Sequence, residues 1–72
     1  MYNIRDITEY IVVLIAAFAK QFNMTEAQAY QFLHQHDAIK VTHEYYDVMH
    51  TQPLGDMVQS MASYCKRKGG KL

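Results

Sequence analysis

Apolar residues recur along this chain at helical spacing, and no alternating stretch long enough for a strand interrupts them. Ile7, Ile11, Leu14, Ile15, Phe18 and Phe22 stand three, four and seven positions apart. They form one stripe and predict a first helix over 7–22. Asp6 followed by Glu9 reads as the capping box that opens it. The opposite side is apolar too, because Tyr10, Val12, Val13, Ala16 and Ala17 nearly complete the circle. A helix apolar all round is central in a core or covered by another chain. Three short companions cannot cover every side of it. These five residues are therefore the candidate face for a second copy of the chain or for a protein partner.

Thr25-Glu26-Ala27-Gln28 is a second capping box, with Met24 placed before the cap to pack on the first turn. It predicts a helix over 26–36 with Ala29, Phe32 and Leu33 inward. Residues 37–41 read as a link whose Ile39 and Val41 plug the core. Thr42 is placed to cap a third helix over 42–50, with Tyr45, Val48 and Met49 inward and Tyr46 partly exposed. Pro53 ends that helix, because proline disfavours helical backbone in the residue before it. The last helix spans 55–68, opening near Leu54 or Asp56. Its stripe is Leu54, Met57, Val58, Met61, Ala62 and Cys65, and Gly69 or Gly70 suits the cap beyond it. The expected fold is all-α, one compact domain of about four helices with a short basic C-terminal tail.

The chain has 72 residues and a mass of 8.4 kDa, enough for one modest core. Half the residues are hydrophobic and 19% are charged, a globular rather than a disordered composition. A single cysteine excludes an internal disulfide and suits a reducing compartment. The longest apolar run, Ile11 to Ala19, is nine residues, against about 20 needed to span a bilayer. Asp6 and Glu9 stand where a signal peptide carries its basic start. The expectation is a cytoplasmic protein that does not engage a membrane.

Net charge is zero but unevenly placed. Arg5, Lys20 and Lys40 face all seven acidic residues before position 66, whereas Lys66, Arg67, Lys68 and Lys71 crowd the last seven. An acidic body is a poor surface for a phosphate backbone. The basic end is read first as cations complementing a helix C-terminus and second as a nucleic-acid tether. Residues 25–50 have the length of a helix-turn-helix, but the second helix would carry Glu44 and Asp47 and no arginine or lysine. Nucleic acid is therefore not the expected partner.

His43, Asp47 and His50 fall at i, i+4 and i+7 of the third predicted helix, and Cys65 is a fourth conceivable zinc ligand. No paired-cysteine or His-Glu-x-x-His motif accompanies them, so the favoured reading is polar surface residues and no metal. His34 and His36, two apart, read as surface polar residues. Cys65 sits on the apolar stripe and reads as buried and inert. No Gly-rich phosphate loop is present, no cofactor is implied, and catalysis is not expected. Six tyrosines and five methionines suit a protein interface, since both bury area while tolerating an irregular partner.

The block Tyr46-Asp47-Val48-Met49-His50-Thr51-Gln52, after the helix Thr25-Glu26-Ala27-Gln28-Ala29-Tyr30-Gln31-Phe32-Leu33, resembles a family of short bacterial proteins of unknown function. Those proteins show a Tyr-Asp-x-Leu/Met-His-Thr-Gln block. The resemblance runs from about Ile7 to Lys68. It implies a small cytoplasmic protein whose genes neighbour those of ADP-ribosyltransferase-like toxins, and hence an antitoxin or accessory role. In that role Tyr46, Asp47, His50, Thr51 and Gln52 are candidate partner-binding residues at a helix end and turn. The competing reading is that His50 and Thr51 tie the third helix's last carbonyls and cap the fourth helix.

The expected function is a non-enzymatic protein-interaction module, a homodimer or bound to a protein partner. The alternative is a nucleic-acid-binding regulator using the basic C-terminal end, and a metal-binding protein ranks third.

Overall fold

The computed structural model describes residues 3–72, and it is helical throughout, with no strand among them. Five helices follow in order: α1 (Ile4–Gln21), α2 (Glu26–Gln35), α3 (Ala38–Glu44), α4 (Tyr46–Met49) and α5 (Leu54–Arg67). The Cα radius of gyration is 11.2 Å, and a compact chain of this length is expected near 11 Å. Leu14 and Phe18 of α1, Ala29 and Leu33 of α2, Ala38 of α3 and Val58, Met61, Ala62 and Cys65 of α5 meet in one core. Phe18 lies at its centre, fully buried, with ring neighbours Phe22 at 4.7 Å and Phe32 at 5.9 Å.

The second capping box forms as expected. Thr25 Oγ1 accepts from the Gln28 amide at 3.0 Å, and Gln28 Oε1 accepts from the Thr25 amide at 2.9 Å. Met24 packs against the core just ahead of it. The first expected box does not form. Asn3, not Asp6, caps α1, its Oδ1 accepting from the Asp6 amide at 3.0 Å, and the helix starts a turn earlier than the apolar stripe does. Glu9 turns instead to Arg5, 3.6 Å away on the exposed surface.

Left-handed residues follow α1, α2 and α5. Asn23 (φ 54°) follows α1, with the Met24 amide donating to the Ala19 carbonyl at 3.0 Å. Asp37 (φ 63°) follows α2 and stands at the start of α3. Beyond α5, Gly69 (φ 97°) takes the expected cap position, and two bonds close a Schellman motif. The Gly70 amide donates to Cys65 O at 2.8 Å and the Gly69 amide to Lys66 O at 3.1 Å. Gly70 then lies so close to the Phe32 and His36 rings that a Cβ there would meet them at 2.9 and 3.1 Å. His36 is thus half-buried, with Nδ1 2.7 Å from the Phe32 carbonyl, and is not the surface residue expected.

The largest departure from expectation falls between residues 37 and 50. The expected link is already helix, with Ile39 and Val41 packed on the core as anticipated. Thr42 is not a cap but a fully buried residue inside α3. Its hydroxyl donates back to the Ala38 carbonyl at 2.8 Å and lies 3.7 Å from the Met61 sulfur. Helix then stops at Tyr45 (φ −111°, ψ 22°) and restarts as α4, so one expected helix becomes two. The break resets the rotational phase. Tyr46 is buried and Tyr45 is 56% exposed, the reverse of the expected order, and Val48 points outward at 58% while Met49 points in.

Candidate functional site

Two surfaces were singled out by the sequence, and the fold treats them differently. The first is the block at the end of α4. The helix is one turn long, and its last carbonyls accept the backbone amides that follow it: Tyr46 O from His50 at 3.0 Å, Val48 O from Thr51 at 3.2 Å and Met49 O from Gln52 at 3.1 Å. Three side chains add to these bonds. His50 Nδ1 lies 2.8 Å from the Tyr46 carbonyl, Thr51 Oγ1 donates to the Val48 carbonyl at 2.6 Å, and Tyr10 Oη reaches the Met49 carbonyl at 3.3 Å from α1. Gln52 Nε2 stands 3.4 Å from Thr51 Oγ1. The His50 ring stacks on Tyr46 at 4.6 Å and 13°, and Tyr10 meets the Tyr46 ring edge-on at 5.5 Å.

Of the five candidate partner-binding residues, therefore, Tyr46 is inside the fold and His50 is half-buried against it. Thr51 is exposed but spends its hydroxyl on the chain's own backbone, while Asp47 and Gln52 stand on the outside. Burial, with the charge of nearby Tyr46 adding to it, raises the Tyr10 phenol above its ordinary pKa, so it remains a neutral hydrogen-bond donor. The cluster closes the end of the domain.

The second surface is the outward side of α1, and it divides. Tyr10 and Ala17, both expected on the partner face, are half-buried and pack on the chain's own core. They sit on the edge of the helix that turns toward the other elements. Val12 and Val13 remain 55% and 50% exposed, and Ala16 is exposed with them. Arg5 and Glu9 precede these residues on the same side and Lys20 follows them, all exposed. The stripe Arg5, Glu9, Val12 and Val13, Ala16, Lys20 advances by threes and fours, so it is one continuous face, apolar in the middle and charged at both ends.

The remaining candidates resolve simply. Cys65 is fully buried, and desolvation pushes its thiol pKa up to about 11, which removes it as a nucleophile at neutral pH. His43 belongs to α3 and Asp47 to α4, on either side of the Tyr45 break. Among the described residues no three His, Cys, Asp or Glu side chains are placed to hold a metal ion. His34 stacks its ring on Tyr30 at 5.5 Å and 6°. Lys66 and Arg67 occupy the last turn of α5, where cations favour the helix dipole. Lys68 reaches Asp37 Oδ2 at 3.3 Å and lies 5.6 Å from the Tyr64 ring centre, and its ammonium pKa is raised chiefly by the bond to Asp37. Among the described residues no single helix is long and apolar enough to cross a membrane.

Sequence reasoning missed the part played by Tyr10 in closing α4. Its signal was an aromatic with a polar tip at the edge of an otherwise aliphatic stripe. Neither a curated protein nor a solved structure matches this chain. A family model does, over residues 9–68, from the second turn of α1 to the end of α5, and the chain thereby belongs to the family described as a protein of unknown function, DUF3791.

Proposed function

We propose that this chain is a non-enzymatic protein-interaction module of the bacterial cytoplasm, and that the outward face of α1 is where it binds. The observation that carries the reading is the exposure of Val12 and Val13, about half each, in the middle of the longest helix. Nothing in the fold requires valines there. A helix of this length keeps its stability with lysine, glutamate or glutamine on its solvent side, and those residues form helix at least as well. Apolar residues clustered on an exposed helix face and rimmed by charge are the pattern of an interface core and its polar rim. The non-enzymatic part rests on the buried Cys65 thiol and on His36 and His50, each with Nδ1 within hydrogen-bonding distance of a backbone carbonyl. An antitoxin or accessory role toward a toxin-type enzyme is consistent with a small helical module that offers one such face.

The test is affinity capture from host lysate with the wild-type chain and with a Val12→Lys/Val13→Lys variant. Both positions are exposed, so the variant folds with a stability within about 0.5 kcal/mol of wild type. A protein retained by the wild type and lost by the variant supports the reading. Retention unchanged by the double substitution overturns it.

The alternative reading, a nucleic-acid regulator, is favoured by the exposed Lys66, Arg67 and Lys71 at one end of the molecule. It predicts RNA or DNA binding that weakens steeply with salt and disappears when those three are changed to glutamine.

A further inference from the structure

We infer that the outward face of α1 also seats a second copy of the same chain, with the two α1 helices antiparallel and in a single register. The inference rests on the reading of that face as a binding surface and adds its occupant and geometry. Charge placement is what selects the occupant. Glu9 and Lys20 lie 11 residues apart on this face, about 16 Å along the helix. Val13 and Ala16 lie between them, symmetrically about the same midpoint.

A two-fold axis through that midpoint sets Glu9 opposite Lys20 of the second copy, and Lys20 opposite its Glu9. It also sets Val13 against Ala16 twice over. The methyl of Ala16 is small enough to let the helix axes approach to about 8 Å with the valines filling the gap. The same patch serves both copies, as a closed two-fold dimer requires. A parallel pairing would set Glu9 against Glu9 and Lys20 against Lys20, so the ends of the stripe reject it. Arg5, 3.6 Å from Glu9 on the same helix, lends the carboxylate a second cation without competing for the two-fold position.

One helix pair is a small interface, at the low end of specific contacts, so the dimer forms with a dissociation constant in roughly the micromolar range. Because the face holds only one occupant at a time, self-association and partner binding exclude each other.

The test is sedimentation equilibrium over a wide concentration range, with circular dichroism to confirm that each variant is folded. The wild-type mass rises from 8.4 kDa toward twice that value. Glu9→Lys and Lys20→Glu each self-associate at least roughly tenfold more weakly, since two attractive pairs become two repulsive ones. An equimolar mixture of the two variants restores the dimer, because one chain then carries lysine at both positions and the other carries glutamate at both. A wild-type chain that stays monomeric overturns the inference, as do single variants that associate as well as wild type. The capture experiment separates this failure from failure of the binding face itself. Capture that depends on Val12 and Val13 by a chain that never dimerises removes the second copy alone, whereas capture indifferent to them removes the face.

Discussion

Tyr10 on α1 donates its phenolic hydrogen to the Met49 carbonyl at the end of α4, across 39 residues of sequence. That bond joins the longest helix to the shortest, which has too few internal hydrogen bonds to stand by itself. It also explains why Tyr10 is absent from the outward face of α1, where its neighbours Val12 and Val13 remain.

Replacing Tyr10 by phenylalanine keeps the ring against Tyr46 and removes the bond. Urea denaturation is expected to show a loss of about 1 kcal/mol. Tyr10→Ala removes the ring as well and should cost about 3 kcal/mol. Equal losses from the two substitutions would assign the whole effect to the hydroxyl and contradict the packing described.

Two threonines with the same apparent role are predicted to respond to different degrees. Thr25 is a true cap, so Thr25→Val should cost about 1 kcal/mol. Thr42 is a buried helix residue whose hydroxyl bonds back along its own helix, so Thr42→Val is nearly isosteric and should stay within about 0.5 kcal/mol of wild type. Thermal melts of both variants are sufficient to see the difference.

The two glycines after α5 carry different demands. Gly69 has φ 97°, and alanine there should cost about 1 kcal/mol in backbone strain. Gly70 has no room for a Cβ, which would stand 2.9 Å from the Cys65 carbonyl oxygen and from the Phe32 ring. Gly70→Ala should therefore cost about 1–3 kcal/mol and disturb the Phe32 and His36 resonances, whereas Gly69→Ala leaves those unchanged.

Alkaline pH should destabilise the fold. Burial moves the Cys65 pKa from 9.0 to about 11, so the folded chain holds that proton more tightly than the unfolded chain does. The stabilisation is complete below pH 9 and is lost as pH rises toward 11. Tyr10, raised in the same direction, adds to the decline. Unfolding free energy measured across that range should fall, and a Cys65→Ala chain, less stable overall, should fall less. Iodoacetamide at neutral pH should leave Cys65 unmodified until urea is added.

Much of this architecture was legible beforehand because periodicity and caps agreed with each other. The stripe Leu54 to Cys65 placed α5 to within a residue, and Thr25 with Gln28 placed the start of α2. The errors arose where local signals misled. Asn3 caps α1 ahead of the first inward residue, and Ile4 is exposed, so the apolar pattern carried no trace of that turn. Tyr45 breaks a run that reads as continuous helix, which exchanged Tyr45 with Tyr46 and turned Val48 outward while Met49 stayed inward. Of the five residues expected on a dimer or partner face, Val12, Val13 and Ala16 are exposed. Tyr10 and Ala17 pack on the core instead, because a wheel gives the angle of a side chain but not which neighbours stand on either flank.

The central claim is that a polypeptide covers the outward face of α1, and Val48, exposed to a like degree, serves as the comparison. A photo-activated cross-linking residue placed at Val13, and separately at Val48, tests it in living cells, since both positions are about half exposed or more. Irradiation should give protein adducts, with a second copy or another chain, from position 13 and none from position 48. Adducts from position 48 alone, or from neither, would contradict the account.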